Sequence, residues 1–413
     1  MKLGYVGAGL LCALFAGAAL AQDEVQRGDT VTTRPRPDYD PLGIRLGSFL
    51  LFPQLGVQET YDSNVFATTN RAKSDFITSF DPSLDLRSNW NNHALNLHAD
   101  SHSARFARFA NENIDDYTLD ANGRLDIQRD ARVLGDIGYK LAHEARYSPE
   151  DVGTLHPVEY SDWAGKLTGE KEFNRLSFQL TGAYDRFQYQ NGRLASGAFV
   201  NEGIRDFDQK QVTLRSGYEL APLRQVYLLT GYNWRDYRTA VDAGGFNRNS
   251  TGYTLAVGTR YDLTGILFAD LFIGYREQDY TDGRLTAAKG ATGGGKLTWN
   301  VTRLTTVTGE INRDVAETSV GAASSYFATR GVISADHELL RNLLLNANVG
   351  YEQDSFQGIN RSDDYYTAGF GAKYLLNRNL WLSGGYGYRT RSSNASNTGF
   401  DDHIVLLRLS TQL

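Results

Sequence analysis

Residues 380–391 read LWLSGGYGYRTR, and this run decides the fold. Leu380, Leu382, Gly384, Tyr386 and Tyr388 share one parity, while Ser383, Gly385, Gly387, Arg389 and Arg391 share the other. Successive side chains of a strand point to opposite faces, so one face is apolar and the other polar. The preceding run agrees, with Tyr366, Ala368, Phe370, Ala372, Tyr374 and Leu376 set against Thr367, Gly369, Gly371 and Lys373. The end of the chain repeats it: Val405, Leu407, Leu409 and Leu413 alternate with Leu406, Arg408, Ser410 and Gln412. Asn377-Arg378-Asn379 is a tight polar turn between the first two runs.

Working outward, the same unit recurs from Phe49 to the C-terminus. Up strands are expected to begin near Phe49, His93, Arg132, Leu176, Gln225, Leu267, Leu304, Leu343 and Leu380. Down strands are expected near Asp75, Asp115, Tyr160, Phe207, Thr251, Ala287, Ser325, Asp363 and Asp401. Short connections such as Asn91-Asn92 and Asn174-Arg175 alternate with generally longer ones such as residues 147–159, 191–206 and 239–250. One trimmed rim and one elaborate rim, with both termini on the trimmed one, is the outer-membrane arrangement. Trp90, Phe173, Tyr261, Trp299 and Tyr374 precede short turns on the apolar parity, and Tyr139, Tyr232, Trp234, Tyr275 and Tyr351 sit higher on it. Two aromatic girdles flanking an apolar band suit a wall in lipid. The expected fold is all-β: a transmembrane up-and-down antiparallel β-barrel of about 18 strands over residues 45–413. Pro53 and Pro82 lack an N–H inside the first two strands, which keeps sixteen strands as the alternative.

Composition narrows the class. The 413 residues include 24 Tyr, 20 Phe and 42 Gly but one Cys and one Met. Residues 1–21 carry Lys2, an apolar core and Ala19-Leu20-Ala21, the pattern of a cleaved signal peptide. Cys12 lies inside that core, so the mature chain has no cysteine. Residues 22–44, with Pro35, Pro37 and Pro41, are expected as a periplasmic extended segment, far too short for a plug domain. Mean hydropathy of −0.42 and the lack of a long apolar run after the leader exclude a helical membrane protein. A net charge of −6 argues against nucleic acid as partner. The partners expected instead are outer-membrane lipid and the barrel-insertion machinery.

Projected inward, the polar parity holds Arg215, Arg235, Arg260, Arg276, Lys296, Glu310, Arg330, Glu352, Lys373, Arg389 and Arg408. A barrel of this width leaves an aqueous lumen, so these are candidate pore-lining residues, as ion pairs that stiffen the wall or as a field that screens solutes. His98, Asp100 and His102 share one inward face, where two imidazoles and a carboxylate at spacing two are weak candidates for a metal; with no further ligand placed, no metal and no cofactor are expected. Tyr227, Phe268, Phe272 and Trp381 have inward parity near the short turns, either packing the rim or stacking on sugar rings. No histidine has a neighbouring Ser/Asp pattern that names a dyad or triad, and no phosphate or dinucleotide loop is present, so an enzyme is not expected.

The stretch from Arg34 to Thr68, RPRPDYDPLGIRLGSFLLFPQLGVQETYDSNVFAT, resembles the opening of the putative beta-barrel porin 2 family of bacterial outer-membrane proteins. Asp40-Pro41-Leu42-Gly43-Ile44-Arg45 and Tyr61-Asp62-Ser63-Asn64-Val65-Phe66 carry the likeness; Leu413 departs from the Phe with which such barrels often end. The resemblance implies an outer-membrane barrel, with some family members tied to exopolysaccharide export. The function expected is a passive conduit for secreted exopolysaccharide or small hydrophilic solutes, gated by long loops such as residues 191–206; the first would add a periplasmic polysaccharide-export protein as partner. The alternatives are a surface protein that binds through its loops and, more weakly, a barrel enzyme.

Overall fold

The computed structural model describes residues 28–413 except Thr264; the expected leader, residues 1–21, lies outside the described residues. Among the described residues, eighteen long strands form a single antiparallel sheet. They are β1 (Phe49–Asp62), β2 (Asp75–Ser88), β3 (Ala94–Phe106), β4 (Ile114–Gln128), β5 (Ala131–His143) and β6 (Glu159–Phe173). Next come β7 (Leu176–Tyr189), β8 (Phe207–Ala221), β9 (Arg224–Tyr237), β10 (Ser250–Leu263), β11 (Leu267–Tyr280) and β12 (Ala288–Thr302). The circuit ends with β13 (Thr305–Glu317), β14 (Ser325–Leu340), β15 (Leu343–Gln357), β16 (Ser362–Leu375), β17 (Leu380–Ser393) and β18 (Phe400–Gln412). Each strand pairs with the next, and β18 returns to β1 from Gln412↔Gln54 to Ile404↔Asp62. The sheet is closed, and the strand starts lie within a residue of those the parity pattern predicts. No plug domain is present among the described residues.

Both prolines are accommodated without losing a strand. The β18 ladder starts at Gln54, one residue past Pro53, whose carbonyl accepts the Leu413 amide at 3.2 Å. Its missing N–H therefore falls where the partner strand runs out. At Pro82 the β2–β3 ladder lapses between Phe80↔Ser103 and Ser83↔Asp100, and the register resumes unshifted. The sixteen-strand alternative is thereby excluded.

The two faces differ as alternation requires. Outward side chains are apolar and open: Ile273 is 67% exposed, Ile137 66% and Phe370 64%. Trp90, Phe173, Trp299 and Tyr374 lie exposed toward the short turns, with Tyr232, Trp234, Tyr275 and Tyr351 toward the other rim. Residues 28–40 run inside the short-turn rim: Val31 is fully buried and Arg36 nearly so. A short stretch, Ile44–Leu46, then pairs with Phe49–Leu51 and leads into β1.

Candidate functional site

The inner wall carries many ion pairs, and most of the residues expected to line the pore take part in one. Arg215 pairs with Asp270 at 3.1 Å and lies 3.6 Å over the Tyr227 ring. Arg276 pairs with Asp314 and donates to Thr254 at 2.9 Å. Lys296 meets Glu310 at 2.8 Å, and Arg330 clamps Glu352 through both nitrogens at 2.7 and 2.5 Å. Lys373 sits 4.3 Å over the Trp381 ring, whereas Arg260 is exposed opposite Asp270 in the register. Arg408 of β18 reaches Asp81 of β2 across Gly56 of β1, where an added Cβ would collide with the guanidinium. Such a reach over an intervening strand requires all three positions to share the lumen face.

The histidine strand does not assemble a metal site. Asp85 and Asp100 lie 2.9 and 2.8 Å from the two ring nitrogens of His98, while Asp81 lies 2.6 Å from Nδ1 of His102. Both ring nitrogens of His98 are thus engaged by carboxylates. Among the described residues no group of three His, Cys, Asp or Glu side chains is arranged to hold a metal ion. The inward aromatics are also divided. Tyr227 is buried and donates its hydroxyl to Asp270 at 2.7 Å; Phe268 faces Gly28, Phe272 faces Gly294, and Trp381 stands apart on β17 under its lysine. They pack at two places rather than forming one open track.

The main feature at the long-loop rim was not legible in the parity pattern: the loops fold inward and lock together. The loop of residues 144–158 crosses the lumen. At its near end Arg146 holds Glu112 with two bonds of 2.8 Å and Asp151 with one of 3.1 Å. Tyr147 then lies 3.8 Å under the Arg389 guanidinium, and its carbonyl accepts from Arg391 at 3.1 Å. At the tip, the Glu150 carboxylate accepts from the Thr318 hydroxyl at 2.5 Å and from the Ser319 amide and hydroxyl at 2.8 and 2.6 Å. Thr318 and Ser319 follow β13, on the far side from β5 and β6, so this contact spans the opening.

Two further loops complete the mouth. Arg205, from the loop expected to gate, bridges Glu144 and Glu202 at 2.9 and 2.8 Å and covers the Tyr189 ring at 4.1 Å. Arg248 donates to Asp242 at 2.5 Å and to the Thr318 and Ala323 carbonyls at 2.7 and 2.9 Å. Beneath them Arg235 of β9 holds Gln209 at 2.8 Å and Glu317, and Tyr237 donates to Glu317 at 2.8 Å. Inward aromatics at the strand ends, among them Tyr160, Phe207, Phe356, Tyr365 and Phe400, are all buried under these loops. The mouth thus has a small core of its own, with a residual cavity of about 380 Å³ bounded by Glu150, Tyr189, Arg205, Tyr237, Arg248 and Glu317. A larger hollow of about 680 Å³ lies on the outer wall among Leu176, Val226, Leu228, Val257 and Ile273, facing lipid rather than solute.

Burial shapes the charges of the mouth. It pushes Glu144 above the usual carboxylate range, with Arg205 opposing and Glu150 and Glu202 adding. Burial raises Asp151 in the same way against the pull of Arg146. At Asp242 burial opposes ionisation too, but the Phe246 amide, the Arg248 guanidinium and the Gly244 amide outweigh it and hold the carboxyl low. The only sequence sign of the mouth is that long loops carry Arg146, Arg205 and Arg248 beside carboxylates; which carboxylate each meets is decided by the fold.

Among solved structures, similar chains include Pseudomonas aeruginosa OpdO, at 15% identity over 89% of this chain and 98% of that one, with a TM-score of 0.47. OpdL from the same organism matches at 12% identity, 89% and 99% coverage and 0.45. OccK2 (OpdF), in a crystal with glucuronate, matches at 11%, 88%, 98% and 0.47. No curated protein matches the chain in sequence. The family model described as Putative beta-barrel porin 2 matches residues 36–413, so this closed barrel of the outer membrane belongs to that porin family.

Proposed function

We propose that the protein is a passive outer-membrane channel for small hydrophilic solutes, with its size limit set by the folded-in mouth. One observation carries this: Glu150 attaches to Thr318 and Ser319 on the opposite side, so the 144–158 loop stands in the path along the axis. A threaded polysaccharide would have to displace that loop and break its buried contacts, which favours small solutes over a polymer. The export-protein partner belongs to the polymer reading and falls away with it. Below the mouth the lumen is lined by charges of both signs, and on β2–β5 Asp81 pairs with Arg408, Asp85 and Asp100 flank His98, and Asp136 pairs with Lys166. Polar solutes of either sign therefore meet a mixed field. The apolar outer band takes membrane lipid as its partner, and insertion would engage the machinery that reads the last strand.

The decisive experiment is single-channel recording of the full chain in planar bilayers, with neutral polymers of graded size added to find the exclusion limit. Steady conductance, and exclusion of all but the smallest polymers, is expected. A correctly folded barrel that never conducts overturns the proposal in favour of a surface anchor whose loops bind a partner.

A further inference from the structure

We propose that residues 28–40 form a displaceable stop inside the short-turn opening, latched by Glu338; this rests on the channel reading above. The segment follows the inner side of the rim from β11 round to β18. Gly28 abuts the Phe268 ring, the Asp29 carbonyl accepts from Asn300 at 2.9 Å, and the Val31 amide donates to the Thr306 hydroxyl at 3.0 Å. Arg36 pairs with Glu338 at 2.9 Å, Arg378 donates to the Pro37 carbonyl, and Gln412 donates to that of Tyr39 at 3.3 Å. Asn300, Thr306, Glu338 and Gln412 share the lumen parity of their strands, opposite the exposed Ile311 and Ile333. The chain therefore lies within the opening and narrows it.

Two features make the seat releasable. The segment joins no ladder of the wall, since strand pairing ahead of β1 is confined to Ile44–Leu46 among the described residues. Leaving would break side-chain contacts and expose Val31, but would leave the barrel intact. The ionic part of the seat is also lopsided. Arg34 at 3.6 Å, Arg36 at 2.9 Å and Arg341 at 3.8 Å converge on one buried carboxylate, Glu338. The Nε atoms of Arg34 and Arg36 are buried without a partner. A single negative charge holding three positive ones is a latch: neutralise it, and the buried guanidiniums repel one another and seek water.

The test uses the full chain with Glu338→Gln, and separately with Val31→Cys and Thr306→Cys, positions brought close by the Val31 amide contact. The sole native cysteine is Cys12, within the expected leader, so the engineered pair is free of competition after cleavage. The Glu338→Gln channel is expected to show larger, flickering conductance, and exchange of the Val31 amide to rise on the order of a hundredfold, the scale of one broken buried pair. The oxidised double cysteine is expected to hold the small steady conductance even when combined with Glu338→Gln, and reduction to restore the flicker. Wild-type conductance in every variant, with or without faster amide exchange, overturns the stop and leaves the channel reading standing. A chain silent in all forms, stop released or not, removes both.

Discussion

The vestibule (the strand-lined lumen below the loops) and the mouth are built from the same chemistry and differ in burial. In the vestibule, Lys296 and Glu310 meet at 2.8 Å with side chains 58% and 56% exposed. In the mouth, Arg146 and Glu112 meet at the same 2.8 Å with side chains 8% and 4% exposed. An exposed pair lies in water, where hydration competes with attraction and the net contribution is small. A buried pair has already lost its hydration, so removing one partner strands the other. The wall is consequently tolerant of change while the mouth is not. Width comes from the strand number, and passage from what is folded into the openings.

The largest effect should come from removing the crossing loop. Replacing residues 148–157 by a short Gly-Ser link deletes the Glu150 anchor and its span across the lumen. Unitary conductance is expected to rise several-fold, and the polymer exclusion limit to rise with it, in bilayer recordings. Unchanged conductance would show that passage is limited elsewhere and that the distinction between mouth and vestibule has no functional content.

A paired substitution sharpens the same distinction energetically. Arg146→Ala leaves the Glu112 carboxylate buried and uncompensated, a loss of about 3–5 kcal/mol when a buried pair is broken. Lys296→Ala removes an exposed partner, worth about 0–1 kcal/mol. Hydrogen exchange of the loop amides should accelerate strongly in the first variant and stay at wild-type rates in the second. Phe207→Ala attacks the mouth through packing instead. Its ring stacks on Phe187 at 4.8 Å and Tyr237 at 5.3 Å, so truncation is expected to cost about 3–5 kcal/mol. Thermal unfolding followed by intrinsic fluorescence would register this as a lowered mouth transition ahead of the barrel's own.

The same division marks how far the sequence could be read. Strand number, register parity and the two aromatic girdles follow from a period of two, which is local and repeats eighteen times; Tyr386 and Arg389 show it within four residues. Pro53 and Pro82 blurred the local signal, because whether a missing N–H matters depends on where the neighbouring ladder ends. The mouth obeys no local rule. Glu150 and Thr318 are 168 positions apart, and nothing in either loop states that they meet. The loop of residues 191–206, expected from its length to gate, carries its own small hairpin and supplies Arg205 to the crossing loop. For the inward charges, parity assigned the face and left the partner open: Arg408 passes over a whole strand to find Asp81.

The smallest effect separates the two regions by pH. Glu144 is raised by burial, so over the interval between the ordinary and the raised value the native mouth keeps a proton that the opened loop has lost. Its contribution is complete below the ordinary glutamate range and declines as pH rises through the raised value. Asp242 is held low once its amide and guanidinium donors outweigh burial, so its contribution is complete above the ordinary aspartate range and is lost as pH falls through the depressed value. Amides of the 144–158 loop, corrected for intrinsic exchange, should therefore be better protected at about pH 5 than at pH 7, while those of residues 242–248 should lose protection only below about pH 4. Glu144→Gln should weaken the first trend, leaving the share that the raised Asp151 contributes, and should leave the second unchanged. If both loops instead followed one common curve, the mouth would be titrating as a single unit, and its three locking arginines could not be assigned separate roles.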